Sequence, residues 1–322
     1  MNLLSVYRKA AIGSKSNPSF GAGQPHLLFA TMELREGSQC LKERGGGAAV
    51  KKAAKRKRLQ AVLFLKFIIL LFLLLFWAEP QLVLHRIEEA TLPVMWMDEG
   101  HVITVMTFNI RHGRGLDQKV SIERIAEVLQ QSGADIIALQ EVDRYWWRSG
   151  MEDQIRRLGE KLEMSWAYAP TIAVGRMQYG NAVLSRYPLA DGMLLRMPGR
   201  VEPRNVMRVL VEVEGTSLAL FNTHLGVHLE ERKAQVPLMM EMLSDIEHAA
   251  VLLGDFNMME NDPLLQEVLS GWQRIEIDAP TLAGGHRVDH IFVKGPLKVA
   301  HVSVEMTEAS DHFPLKAQLM LE

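Results

Sequence analysis

Cysteine is nearly missing: Cys40 is the only one in 322 residues. It precedes the one long apolar run, so everything beyond that run has no thiol. An intrachain disulfide is excluded there, and with it a disulfide-stapled domain. Net positive charge is missing from the same part. Residues 81–322 hold 23 Lys/Arg and 34 Asp/Glu, a balance of −11, whereas residues 1–60 hold 12 and 3, a balance of +9; Lys66 and Glu79 cancel, which leaves the −2 of the whole chain. A domain at −11 lacks the cation density that tight, non-specific nucleic-acid binding draws on through counterion release. Internal repeats are absent as well.

What the chain does have is one membrane-length apolar segment. Leu59 to Ala78 is almost wholly apolar, with Lys66 its only charge. Twenty residues of helix span about 30 Å, the thickness of a hydrocarbon core. Lys66 can snorkel to headgroups at one end, and Trp77 suits the other interface. Just before the segment come Lys51, Lys52, Lys55, Arg56, Lys57 and Arg58. That positive flank predicts a cytoplasmic N-terminus and a C-terminal domain on the extracytoplasmic side of the cell membrane. Phe76-Trp77-Ala78-Glu79-Pro80 has no Ala-x-Ala pattern, so the segment is expected to stay as a single-pass anchor rather than be cleaved. The expected organisation is a disordered basic leader (1–58), an anchor (59–78), a juxtamembrane linker (79–100) and one domain (101–322).

Within that domain Val102–Asn109 reads as a strand rich in β-branched residues. Ser121 is a plausible N-cap for a helix with Ile122, Ile125, Ala126 and Leu129 at helical spacing. Residues 135–141, 181–185, 206–213, 217–223, 251–254, 288–293 and 299–304 read as further strands, and 152–162 and 230–248 as helices. Pro237 marks a kink or a late start in the second of these. Glu214-Gly215 between two runs implies an antiparallel hairpin. The order of elements predicts an α/β fold of mixed sheets with helices outside, not a purely parallel sheet.

Five polar signatures follow or close apolar runs: Thr-Phe-Asn109, Gln-Glu141-Val, Asn-Thr-His224-Leu, Gly-Asp255-Phe-Asn257 and Ser-Asp311-His312-Phe-Pro. Singly, each reads as a turn, a cap or a solvated strand end. In order, on separate elements, they put carboxylates, amides and histidines at one rim, which is what metal-assisted phosphoester hydrolysis requires. Period-two alternation places Asn109 with Thr107 and Val105, Glu141 with Leu139 and Ile137, and His224 with Asn222 and Leu220. In an extended stretch Asp255 and Asn257 share a face, opposite Phe256. His290 is expected to face away from its neighbour Asp289 and to be structural. Arg204 reads as solvated. Asn181 reads as the end of a strand. Tyr145-Trp146-Trp147 reads as packing, or as an aromatic rim that meets a lipid or sugar.

These signatures, with Gly180-Asn181-Ala-Val-Leu-Ser-Arg-Tyr-Pro and Val-Asp289-His-Ile, resemble the endonuclease/exonuclease/phosphatase superfamily over residues 102–320. The resemblance implies a four-layer α/β sandwich, two packed mixed β-sheets flanked by helices, with the site at one end. It implies a divalent cation, usually Mg2+, with Mn2+ or another as alternatives. Glu141 matches the principal metal-ligating carboxylate, with Asn109 beside it, and Asp311 matches a metal-binding position of some members. His312 matches the histidine that polarises the attacking water, and Asp289 the carboxylate that orients it. Asp255 and Asn257 match the pair that positions water or phosphate oxygens. His224 matches a histidine that assists the transition state or leaving group in some branches. Either His312 or Asp255 is the base. The expected protein is a membrane-anchored, monomeric phosphoester hydrolase favouring phospholipid headgroups or small phosphate esters. The alternatives are a surface nuclease and a catalytically inactive binding domain.

Overall fold

The computed structural model describes residues 55–56, 59–67, 84–91, 102–244, 246, 249–268 and 270–321. Of the expected anchor, residues 59–67 are helical and exposed; its remainder, most of the basic leader and most of the expected linker lie outside the described residues. Among the described residues no helix is long and apolar enough to cross a membrane.

The C-terminal unit contains two seven-stranded sheets. In chain order its strands are β1 (Leu84–Arg86), β2 (Glu88–Ala90), β3 (Val102–Asn109), β4 (Ile136–Arg144), β5 (Ser165–Val174), β6 (Met177–Ser185), β7 (Leu189–Met197), β8 (Arg204–Val213), β9 (Thr216–His224), β10 (Ala250–Asp255), β11 (Gln273–Arg274), β12 (Asp289–Lys294), β13 (Leu297–Val304) and β14 (Leu315–Leu321). One sheet runs β1-β7-β8-β9-β10-β12-β11 and the other β13-β14-β3-β4-β6-β5-β2. Among the described residues only β3–β4 and β9–β10 pair in parallel, so both sheets are mixed, as expected. Within the stretch expected to link anchor and domain, β1 pairs with β7 in one sheet and β2 with β5 in the other. The chain changes sheets at buried Ile87, whose N–H donates to Gly192 O.

Alternation along each strand builds three apolar layers. Val105, Ile136, Ala138, Leu220, Leu253 and Ile291 pack between the sheets. Met106, Phe108, Ile137 and Leu139 point outward against α1 (Ile122–Ser132) and α2 (Gln154–Leu162). Phe221, Leu252, Phe256 and Phe292 point out on the other side against α3 (Leu229–Met242) and α4 (Pro263–Val268). Helices, sheet, sheet and helices form the four-layer sandwich.

Local sequence explains the ends of these elements. Ser121 caps α1, its Oγ accepting from the Arg124 N–H, and Gly133 closes it in the left-handed conformation. Helix α3 runs through Pro237 and stops at Met242, six residues short of the expected end. Glu214 and Gly215 both have positive φ, the geometry of a two-residue turn matched to strand twist, and β8 and β9 form the predicted hairpin around them. β1, β2, β5, β7, β11 and β14 are not among the strands read from the sequence. Register shifts interrupt the pairing of β5 and β7, whereas β14 alternates buried and half-buried positions and has the period of a half-buried strand.

A polar bridge joins the two sheets just beneath the site. Gln140 Nε2 donates to Asn222 Oδ1 at 2.8 Å, and Asn222 Nδ2 donates to Leu139 O and Ala182 O, each at 2.9 Å. Both side chains are fully buried, so these bonds replace water for every polar atom involved.

Candidate active site

The parallel pairs β3–β4 and β9–β10 end at the same rim. Asn109, Glu141, His224 and Asp255 therefore arrive there together, and Asp289 joins them at the start of β12, directly opposite Asp255 in register. His312 reaches the cluster from the segment before β14, which bridges to Leu282.

Glu141 gets there by breaking the alternation that predicts its facing. Ile137 and Leu139 point to the outer helices. The β4–β6 register shifts between Leu139 and Val142, and Glu141 has φ 59. This bulge turns Glu141 inward with Asn109, away from the face of Leu139. The expected facing of Glu141 is thus corrected, while those of Asn109 and His224 hold.

Asn109 connects the two halves of the cluster. Its Nδ2 donates to Glu141 Oε1 at 3.1 Å and to Asp255 Oδ2 at 3.0 Å, while its Oδ1 accepts from the Arg111 N–H at 3.0 Å. Ser310 Oγ fastens the Asn109 carbonyl at 2.8 Å, tying the Asp311-His312 segment to β3. On the far side His312 Nδ1 lies 3.0 Å from Asp289 Oδ2, and His312 Nε2 lies 3.6 Å from Asp255 Oδ2. His224 Nε2 lies 3.4 Å from the same Asp255 oxygen. Glu141, Asn109, Asp255, His312 and Asp289 thus form one continuous chain of contacts.

Burial and charge set the protonation states. Burial alone would lower the His312 pKa, but Asp289 and Asp255 outweigh it and raise it to about 10. His312 is therefore an imidazolium at neutral pH. Burial pushes Asp255 up to about 6, with His312 acting against it. His224 is held well below the usual range by burial and by the Arg204 and His312 charges. Arg204 Nη1 faces His224 Nδ1 at 3.3 Å, so that nitrogen is the acceptor and the ring proton sits on Nε2, directed at Asp255.

Two expected site residues take other partners. Asp311 is half-exposed and pairs with Arg111 at 3.2 Å. Asn257 has φ 50, so the stretch after Asp255 is not extended; its N–H donates to Asp255 Oδ1 at 2.9 Å and its Nδ2 to Leu225 O at 2.9 Å. It shapes the Asp255 turn. Arg204, read as solvated, is buried, and pairs with Glu202. Asn181 lies inside β6 and bonds Asn205. His290 faces away from Asp289, as expected, and bonds Met258 O at 2.7 Å. Sequence reasoning missed Ser310 and Arg111; both adjoin residues it had singled out.

The donor set suits a hard divalent cation. Asp255, Asp289 and His312 each bring a ligand atom within 4.8 Å of the others. Those contacts are already used within the buried Asp–His–Asp cluster. Glu141 is only half-buried, and its hydrogen bond to Asn109 leaves carboxylate lone pairs free. A hard divalent cation that retains several waters needs such an open carboxylate, which Glu141 offers; Asn109 beside it turns Nδ2 toward Glu141 and Oδ1 toward the Arg111 N–H.

Residues 106–312, well over half of the chain, match the endonuclease/exonuclease/phosphatase family. The chain belongs to that family. Its members are hydrolytic phosphoesterases, so this assignment carries the reaction class at that level. The chain is also similar to YbhP, an uncharacterized protein of Escherichia coli K12, at 26% identity over 247 residues, covering 67% of this chain and 96% of YbhP. Among solved structures it resembles the catalytic domain of human Nocturnin with bound sulfate, with TM-score 0.58 and 19% identity over 73% of this chain and 97% of that one. It also resembles a mannosyl-6-phosphatase of Bacteroides thetaiotaomicron, with TM-score 0.53 and 20% identity over 68% and 99% of the two chains. These structural likenesses establish a shared family fold.

Proposed function

We propose that this protein is a divalent-metal-dependent hydrolase of phosphoester bonds, acting by in-line attack of water. The observation that carries this reading is the unbroken run of contacts from Glu141 through Asn109 and Asp255 to His312 and Asp289. A cation held at Glu141 and Asn109 would supply charge neutralisation on the phosphoryl oxygens. Asp255, with its pKa raised to about 6, is poised to take the proton of the attacking water. His312, held protonated by Asp289, donates to a phosphoryl oxygen as negative charge builds there. His224 and Arg204 fix the Asp255 carboxylate from the opposite side. This division of labour favours Asp255 over His312 as the base.

The acidic balance of residues 81–322 supports lipid headgroups or small phosphate esters over nucleic acid. The apolar run 59–78 and its basic flank support a single-pass anchor with the hydrolase outside. A panel of phospholipid, sugar phosphate, soluble phosphodiester and plasmid DNA, offered to the full chain with and without Mg2+, tests this. Metal-dependent release from lipid or small esters is expected. Turnover of DNA alone would favour the nuclease, and turnover of nothing with metal binding lost would favour a binding domain.

A further inference from the structure

The apolar residues that the fold leaves in solvent are not scattered. In residues 84–321 eleven large apolar side chains are exposed among those described. Ten lie in connections, at a strand end or, for Leu229, at the first residue of α3, at the rim that holds Asn109, Asp255 and His312; only Val102, at the start of β3, lies at the other. The assignment follows from strand direction. Trp147 and Met151 follow β4, Val201 joins β7 to β8, Val227 follows β9, Met259 follows β10, and Met306 joins β13 to β14. The most exposed are Val201 at 92%, Met306 at 84% and Trp147 at 74%. Val201 and Met306 flank the polar cleft on opposite sides, because β7 and β8 lie on one side of β9–β10, and β13 and β14 on the other side of β3–β4.

These tips sit on fastened loops. Asp143 is fully buried and takes both Arg148 Nε and Nη2, at 2.8 and 2.7 Å; Arg148 also stacks over Trp146 and Tyr179. The Met151 N–H donates to Trp146 O at 2.8 Å. The loop is closed beneath Trp147 and holds its ring outward. Beside Val201 the Arg200 N–H donates to Glu231 Oε1 at 2.6 Å, and beside Met306 the Glu305 N–H donates to Pro314 O at 3.1 Å. Apolar groups held in water on fastened loops at one end of a domain mark an interaction surface.

The direction of the chain names the occupant. β1 is antiparallel to β7, with Leu84 opposite Leu195 and Arg86 opposite Met193. Its N-terminal end therefore lies toward the rim where β7 ends at Met197, the same rim as the cleft. Only residues 79–83 separate that end from the apolar run 59–78. Six peptide steps, fully extended, reach roughly 20 Å. Were that run embedded in a membrane, the domain would be tethered within that reach of the bilayer by the rim end of β1.

We infer that the cleft-bearing end of the domain docks on a lipid bilayer, with Trp147, Val201 and Met306 inserted among the headgroups, and that the cleft receives a phosphoester carried by a lipid headgroup. The substrate half rests on the hydrolase reading above, and the docking half on the anchor reading alone. The domain is acidic overall, so apolar insertion rather than attraction to anionic lipid drives the contact.

The test uses the full chain reconstituted in phosphatidylcholine vesicles, with brominated phosphatidylcholine as a fluorescence quencher. Three proteins are compared: the unaltered chain, Trp147→Phe, and the double variant V201D/M306D. Quenching is expected to be greater in the unaltered chain than in Trp147→Phe. In V201D/M306D the Trp147 component should fall to about the level of Trp147→Phe. The double variant should also lose about tenfold or more in turnover of vesicle phospholipid while hydrolysing soluble bis(p-nitrophenyl) phosphate within about twofold of the unaltered rate. Equal quenching of the unaltered chain and Trp147→Phe would overturn docking, as would cross-linking through Trp147 to a second copy or a protein partner. Quenching as expected, with neither ester hydrolysed, upholds docking and sinks the hydrolase reading instead.

Discussion

Asp289 holds His312 by Nδ1 at 3.0 Å, and both side chains are buried. With Asp255 on the other side of the ring, that contact makes the imidazole a fixed cation rather than a free base. Asp289→Asn removes one of the two charges that raise the His312 pKa. The His312 ring protons, followed by NMR in metal-free protein, should then titrate well below the unaltered value of about 10. Hydrolysis should fall by roughly 10²–10⁴-fold. Because the folded pKa lies above the unfolded value, this group stabilises the fold fully below pH 6.5 and loses that contribution as pH rises through about 10. The stability gap between the unaltered chain and Asp289→Asn should therefore be wide near neutrality and narrow above pH 10.

Asp255 gives the acid limb of the pH profile. Burial raises it to about 6, and once protonated it cannot accept the proton of water. The folded state binds this proton more tightly than the unfolded chain, so the group costs stability as pH climbs from about 4 through 6, while activity rises over the same range. A profile of kcat/KM on a soluble phosphodiester should show a limb near pH 6. In Asp255→Asn that limb should vanish along with most of the rate. A profile flat from pH 5 to 8 in the unaltered chain would remove Asp255 from the role of base.

Gly254 lets β10 deliver Asp255 to its neighbours. Its φ is 150, and a Cβ there would stand 2.0 Å from Thr223 O on the parallel strand β9. That carbonyl is backbone and cannot swing aside. Gly254→Ala should separate β9 from β10 at the point where His224 and Asp255 meet. The expected loss is about 1–3 kcal/mol, or more where the backbone resists, with a fall in melting temperature of about 2–4 °C per kcal/mol. Differential scanning calorimetry reads this directly; an unchanged midpoint would contradict the close approach.

The sheet-to-sheet bridge is a stability element beneath the cleft. Asn222→Leu would strip hydrogen bonds from Gln140, Leu139 O and Ala182 O, all buried. Each unsatisfied group costs about 1–3 kcal/mol, so a loss of several kcal/mol in urea-unfolding stability is expected. A substitution tolerated within 1 kcal/mol would mean that water or repacking replaces the bridge.

Much of this was legible in the sequence. Strands such as Val102–Asn109 and the Glu214-Gly215 hairpin carry strong local signals, because β-branched runs and turn residues act within a few positions. Asn109, His224, Asp255, Asp289 and His312 were found as polar groups closing apolar runs, and they meet in space. Glu141 was found too, but its facing was not, since a bulge opposite Asn181 is a property of the pairing and leaves no mark in β4 alone. Arg204 looks solvated by type; its burial comes from His224 and Glu202. The arginine that claims Asp311 is also a tertiary fact. The short strands β1 and β2 have only three residues each, too few for any period to appear.

The central claim is that residues from separate strands work as one metal-assisted site. It is tested most directly by a double-mutant cycle on Glu141→Gln and His312→Gln, reading Mg2+-dependent hydrolysis of bis(p-nitrophenyl) phosphate by the full chain. Each single variant should lose roughly 10²–10⁴-fold, and the pair should be scarcely slower than the worse single, as groups acting in a unit behave. Losses that multiply independently, or a full rate in either single variant, would contradict it.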